Sequence, residues 1–265
     1  MTTQNTKGTA LVTGASSGIG AVYAERLARR GYDLLLVARD QQRLDKLAAS
    51  LRADFGVAVE VLVADLTQKA EIKTVAQRLR SDTAISLLVN NAGVAMDGPL
   101  IEANGDAIDR MLELNITAVT HLAAAAGANF AAAGRGAIIN LASVVALAPE
   151  MFNATYSATK AYVLSLSQSL HSELAKQGVQ LQAVLPGVTR TEIWERAGID
   201  SHQIPAAMVM DAGEMVDAAL AGFDQGELVT IPSLPDAGDW NAFVAARQKL
   251  APNLSHSKAA ARYKA

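Results

Sequence analysis

Short apolar runs alternate with longer stretches in which apolar residues recur at helical spacing. The runs Thr9 to Thr13, Asp33 to Ala38, Val57 to Val63, Ser86 to Asn90, Gly136 to Ala142, Gln180 to Leu185 and Glu227 to Ile231 read as strands. They are almost continuously Val, Ile and Leu, as in strands covered on both faces, and the pattern predicts a parallel sheet. Between them, Ile19 to Arg30, Gln42 to Phe55, Lys69 to Arg80, Asp106 to Ala132, Ala154 to Gln177 and Glu214 to Gly222 carry helical periodicity. Such alternation predicts one α/β domain, a Rossmann-like doubly wound parallel sheet of about seven strands with helices on both faces. In that architecture ligands bind beyond the carboxyl ends of the strands, which is where chemistry is to be sought.

The first strand ends in Thr13-Gly14-Ala15-Ser16-Ser17-Gly18-Ile19-Gly20, and a helix follows. Glycines there let the backbone turn sharply and approach a pyrophosphate, whose charge the N–H groups of a helix N-terminus stabilise. A glycine-rich loop alone is weak evidence, but a strand before it and a helix after it supply the required context. The second strand ends Ala38-Arg39-Asp40. An acid at that tip accepts hydrogen bonds from an adenosine ribose, whereas a guanidinium pairs with a 2′-phosphate. Arg39 therefore favours NADP(H); NAD(H) is the alternative if Arg39 only solvates the loop and Asp40 is the ribose acid.

Tyr156 and Lys160 stand four residues apart in a helical pattern that Asn153 can cap, which puts phenol and ammonium on one face. A free tyrosine titrates near ~10, and a neighbouring cation brings it toward a useful range. On its own such a pair is ordinary surface decoration. Its company changes the reading: Ser143 just after the fifth strand, Asn115 in the long preceding helix, and Asn91-Ala92-Gly93 after the fourth strand.

Together these residues resemble the short-chain dehydrogenase/reductase family, of the type with a Thr-Gly-x-x-x-Gly-x-Gly loop and a Tyr-x-x-x-Lys pair, over about residues 8–192. The resemblance implies an oxidoreductase moving hydride between nicotinamide and a carbonyl or secondary alcohol. Tyr156 is then the general acid/base, Ser143 holds the substrate oxygen, and Lys160 holds the nicotinamide ribose and lowers the Tyr156 pKa. Asn115 anchors a water in a proton relay behind Lys160. Cofactor contacts are implied for Gly14, Ser16, Ser17, Gly18, Ile19 and Gly20 in the loop, and for Asp65 and Leu66 at the third strand. Asn91, Ala92 and Gly93 border the adenosine ribose, and Pro186, Gly187, Val188 and Thr191 hold the carboxamide. A homodimer or homotetramer is also implied, through the Ala-rich helix and the one bearing Tyr156.

The 20 residues from Glu192 to Asp211 include Trp194, Ile199, Ile204 and Met208 and read as the core of a substrate flap over 192–212. Val145, Met151 and Phe152 are expected on the facing wall, with Trp194, giving a substrate with an apolar portion. Arg190 and Arg196 weaken any exclusion of an anion. After Pro232 the alternation stops: 233–265 reads as an extension with a helix from Ala237 to Leu250 and a basic tail. Many family members instead end in an Asp-Gly-Gly sequence.

The 265 residues, 51% of them hydrophobic, suffice for one sizeable core, which excludes a disordered chain. Roughly one residue in five is alanine, which fits closely packed helices. A net charge of −3 gives no electrostatic basis for nucleic-acid binding. Zero cysteines exclude disulfides, thiolate metal sites and a thiol nucleophile. His121, His171, His202 and His256 are too scattered for a metal site. Residues 1–7 read as a disordered polar tail without the apolar core of a signal peptide. Ala118 to Ala133 is expected to be too short and Ala-rich to span a membrane, so a cytoplasmic protein is the expectation. The alternative from another functional class is a catalytically silent dinucleotide-binding sensor of the same fold; the complete Asn115, Ser143, Tyr156 and Lys160 set argues against it.

Overall fold

A computed structural model describes residues 7–198 and 204–264, without the side chains of Glu195 and Arg196. Ile199, His202 and all but Lys7 of the expected N-terminal tail lie outside the described residues. Met1–Pro232 forms one compact unit and Ser233–Ala265 a second.

The first unit is built on a seven-stranded sheet in the order β3-β2-β1-β4-β5-β6-β7. Every pairing is parallel. The strands are β1 (Thr9–Thr13), β2 (Asp33–Ala38), β3 (Val59–Val63), β4 (Ile85–Asn90), β5 (Gly136–Leu141), β6 (Val179–Val184) and β7 (Val229–Thr230). Alternate residues of the central strands feed opposite cores. Ala10, Val12, Leu34, Leu36 and Val89 pack toward α1 (Gly18–Arg29), α2 (Gln41–Phe55) and the helix Ala212–Asp224. Leu11, Leu35, Val37, Leu88 and Ile138 pack toward α3 (Lys69–Ser81) and the helix Val119–Ala133. This two-sided burial is why the strands lack polar alternation. The strand order reverses between β1 and β4, and that switch point opens a crevice at their carboxyl ends.

Most strand boundaries agree with the sequence pattern. The run from Val57 pairs only from Val59, and the run Glu227 to Ile231 pairs only at Val229 and Thr230. One helix departs more. The expected continuous helix from Asp106 is α4 (Gly105–Leu112), a π-helical segment Glu113–Ala118 and α5 (Val119–Ala133). As one stretch, Gly105–Ala133 is long and apolar enough to cross a membrane, so the length argument does not hold. Half of its most apolar window is buried inside the fold, where Leu122, Ala123, Ala126 and Phe130 join the core.

The helix α6 (Ala154–Leu174) buries Tyr156, Ser157, Thr159, Lys160, Val163, Leu164 and Ser167. That stripe at helical spacing includes both residues of the predicted pair. A buried polar chain fixes the helix on the sheet. Asn90 Nδ2 donates to Asn140 Oδ1 at 2.9 Å, and Asn140 Nδ2 donates to Ser167 Oγ at 2.9 Å. The short helix α7 (Ile193–Arg196), which periodicity did not predict, precedes α8 (Ala212–Asp224), capped by Asp211. The second unit contains α9 (Ala237–Gln248), capped by Asp236, with Trp240 and Phe243 stacked at 5.4 Å.

Candidate active site

The crevice is a cavity of about 1050 Å³. Gly14, Ser16, Ser17, Gly18 and Ile19 line one stretch of it; Arg39, Asp40, Asp65 and Leu66 line the neighbouring strand ends. Asn91, Ala92 and Gly93 follow, then Ser143, Tyr156, Lys160, Pro186, Gly187, Thr191 and Trp194. Most of the predicted site residues therefore share one space.

The glycine loop owes its shape to three positions. Gly14 and Gly18 have φ of +66° and +54°, where side chains are disfavoured. Gly20 lies behind the loop and does not line the cavity: a Cβ there would sit 2.3 Å from the Gly14 carbonyl oxygen and 2.5 Å from Asn91 Nδ2. Thr13, not predicted to bear on function, ties this loop to the one after β4. Its Oγ1 accepts from the N–H groups of Asn91 and Ala92, both at 3.0 Å. Asn91 Nδ2 reciprocates by donating to the Thr13 carbonyl at 2.9 Å. The signal was present, a threonine ending β1 beside an asparagine after β4, but its partner lies 78 positions away. A narrow loop whose glycine positions leave no room for a Cβ at Gly14 or Gly20, joined to a helix N-terminus, fits a dinucleotide pyrophosphate.

Asp65 lines the cavity while its Oδ1 accepts from Thr67 N–H and Oγ1. Lys69 of α3 pairs with Glu113 at 3.3 Å. Met111 of α4 and Leu114 of the π-helical segment line the same cavity as Leu66.

At the other end, Asn153 caps α6 by accepting from Tyr156 N–H at 3.0 Å, and its Nδ2 donates to the Gly98 carbonyl at 2.6 Å. Tyr156 is buried, its ring 5.3 Å from Phe152 in an edge contact. Lys160 Nζ lies 5.5 Å from the Tyr156 ring centroid and donates to the Leu141 carbonyl at 2.9 Å. Ser143 Oγ donates to the Pro186 carbonyl at 3.3 Å and faces the Tyr156 phenol. Asn115 lines no part of the cavity. Its side chain accepts from Val94 N–H at 3.0 Å and donates to the Val94 carbonyl at 2.9 Å and Thr159 Oγ1 at 3.1 Å. It therefore locks the β4 loop onto the π-helical segment, with Thr159 in turn donating to the Tyr156 carbonyl.

Burial pushes the Tyr156 phenol up to about 12, only partly offset by the Ser143 hydroxyl. Burial likewise pushes the Lys160 ammonium down to about 8. Burial dominates the phenol's shift, and the opposing influence comes from Ser143 rather than from Lys160. A protonated phenol at neutral pH is the form that donates a proton. The lysine has a consequence for stability. The unfolded chain, with lysine near 10.5, binds more protons than the folded chain between about 8 and 10.5, so this group makes stability rise with pH across that window. Urea unfolding of wild type and Lys160→Met over this range checks it: the variant is expected to lack that part of the rise, and parallel curves contradict it.

The substrate wall differs from expectation. Val145, Met151 and Phe152 are not among the residues lining the cavity. Ser143 caps a 3₁₀ turn over Val144–Ala146, and a second turn over Pro149–Met151 leaves Met151 66% exposed. Phe152 instead packs edge-on against Tyr156 and against Trp194, whose ring is 6.1 Å away. Met96 from the β4 loop lines the cavity, as do Ile193 and Trp194. Trp194 Nε1 donates to the Thr189 carbonyl at 2.8 Å. Val188 is also absent from the lining; its carbonyl accepts from Met210 N–H at 2.9 Å, which pins the far end of the 192–212 segment. Arg190 is exposed and does not line this cavity, whereas Arg110 does. Among the described residues no cluster of His, Asp and Glu is arranged to hold a metal.

A doubly wound sheet whose switch point joins a glycine cradle to a buried Ser, Tyr and Lys defines a dinucleotide-dependent oxidoreductase acting on CH–OH or C=O groups. The chain belongs to the short-chain dehydrogenase family, whose model matches residues 8–201. A solved short-chain dehydrogenase from Sphingobium yanoikuyae in complex with NADPH is 55% identical, with a TM-score of 0.94 over 97% of this chain and 100% of that one. The bulky-bulky ketone specific alcohol dehydrogenase from Comamonas testosteroni is 50% identical, with a TM-score of 0.90 over 97% of this chain and 99% of the other. An uncharacterized oxidoreductase of Staphylococcus epidermidis is 34% identical over 207 residues, covering 76% of this chain and 88% of its own length.

Proposed function

We propose that the protein is an NADP(H)-dependent carbonyl reductase for ketones with a substantial apolar portion, with Tyr156 as the general acid/base. The observation that carries the reading is that the buried Tyr156, Ser143 and Lys160 line one cavity with the glycine loop. The similarity to an NADPH complex and to a bulky-ketone enzyme supports the cofactor and the substrate class. The glycine loop and the N-terminus of α1 would hold the pyrophosphate, and Arg39 the 2′-phosphate. Met111, Leu114 and Leu66 would flank the adenine beside Asp65, and Lys160 the nicotinamide ribose. When bound, the nicotinamide supplies the hydride. Ser143 then orients the substrate oxygen and Tyr156 donates the proton to it, the carbonyl becoming an alcohol. Asn115 and Thr159 act as positioning residues, holding the β4 loop against α6. Met96, Ile193 and Trp194 offer the apolar surface for the substrate body.

The exposed edge of α5 carries His121, Ala124, Ala128 and Ala132, and Tyr162 beside it bonds Thr120 at 2.8 Å. This small-residue face supports pairing with an identical chain, and we assign the protein to the cytoplasm.

The cofactor reading is tested by steady-state reduction of an apolar ketone with NADPH and with NADH. Wild type is expected to favour NADPH in kcat/KM. Arg39→Gln is expected to narrow that preference about tenfold, by losing a charge-assisted phosphate contact. A wild-type preference for NADH contradicts the role of Arg39.

A further inference from the structure

One guanidinium bridges two segments that are 149 positions apart. Arg43 stands in the first turn of α2, one turn beyond Arg39. Its Nη1 donates to both carboxylate oxygens of Glu192, at 3.1 Å and 2.8 Å. Its Nε lies 3.5 Å from Asp40 Oδ2, and its backbone N–H donates to Asp40 Oδ1 at 3.0 Å. Arg39, Asp40 and Glu192 all line the cofactor cavity. Glu192 follows Thr191, whose Cγ2 would be 3.2 Å from a Cβ on Gly18. The ion pair thus joins the β2 tip and α2 to the segment that borders the glycine loop and enters the flap.

The pair is built to exchange. Both side chains are nearly half-exposed, 47% for Arg43 and 44% for Glu192, so the bond is weak. A ribose 2′-phosphate brings more negative charge and three acceptor oxygens, which suit a guanidinium better than one carboxylate does.

We propose that Arg43 is a specificity-determining residue for the cofactor and that Glu192 is its built-in competitor. The Glu192 carboxylate and the 2′-phosphate contend for the same guanidinium, and this holds the preference for NADP(H) below what Arg39 and Arg43 together permit. The inference rests on the NADP(H) reading above and adds to it a second cation and a carboxylate that opposes it.

The test is calorimetric titration with 2′,5′-ADP and 5′-AMP, which differ only in the 2′-phosphate and need no turnover. Glu192→Gln is expected to tighten 2′,5′-ADP about two- to fivefold, the scale of an exposed ion pair, and to leave 5′-AMP unchanged. Arg43→Gln is expected to weaken 2′,5′-ADP by an order of tenfold. In the Arg43→Gln background, Glu192→Gln is expected to have no further effect. Unchanged or weaker 2′,5′-ADP binding in Glu192→Gln overturns the competition while leaving the NADP(H) reading intact. The same tightening with Arg43 absent also overturns it, since that outcome is long-range repulsion. Equal binding of both probes by wild type overturns the NADP(H) reading itself and this inference with it.

Discussion

Tyr156→Phe is expected to lower carbonyl turnover by about 10²–10⁴-fold, the scale of a lost general acid. The substitution removes only the phenolic oxygen. The ring keeps its edge contact with Phe152 and its place 5.3 Å away, and Lys160 Nζ keeps the Leu141 carbonyl as its acceptor. Cofactor affinity, read by quenching of protein fluorescence, is therefore expected to be nearly unchanged. A kcat loss with an intact NADPH affinity separates a proton donor from a packing residue. Retention of more than a few per cent of wild-type turnover contradicts the mechanism.

Gly20→Ala is expected to have the next largest effect, through a different quantity. Its Cβ would meet the Gly14 carbonyl oxygen at 2.3 Å and Asn91 Nδ2 at 2.5 Å, and the first of these is backbone. Either the glycine loop moves or the Asn91 bonds to Thr13 and Gly14 break. Overpacking of this kind costs about 1–3 kcal/mol, which corresponds to an order of tenfold to hundredfold in dinucleotide affinity if the loop bears the strain. Titration with NADPH, beside a thermal melt showing the variant still folds, reads the effect. Wild-type affinity in a folded Gly20→Ala protein contradicts the proposed loop geometry.

What the chain reveals before folding is governed by distance along it. The strand–glycine loop–helix unit and the Tyr156/Lys160 spacing are local, and Gly14, Ser16, Ser17, Gly18, Ile19, Tyr156 and Lys160 line one crevice. The expected seventh strand is longer than β7 because Leu228, Val229 and Ile231 make Glu227 to Ile231 read as a strand, yet only Val229 and Thr230 find partners, on Ala183 and Val184. The π-helical segment was not legible, since periodicity carries through it; Asn115 there is held by Val94, 21 positions earlier. Phe152 was expected to face substrate from its apolar character. Two consecutive 3₁₀ turns send it instead against Tyr156 and Trp194, contacts that no spacing encodes. The Arg43–Glu192 bridge and the Thr13–Asn91 tie are longer-range still. Both join loops at the carboxyl ends of the strands, so they became visible only once the strand order was known.

The central claim is that this cavity reduces ketones with NADPH. The measurement that addresses it most directly is a single-turnover experiment: the protein is loaded with NADPH, mixed with each of a panel of ketones graded in apolar bulk, and followed by loss of nicotinamide fluorescence. The expected result is rapid loss with bulky apolar ketones, one alcohol formed per NADPH consumed, and none in Tyr156→Phe. Tight NADPH binding without fluorescence loss for any ketone would contradict the account and leave a dinucleotide-binding sensor in its place.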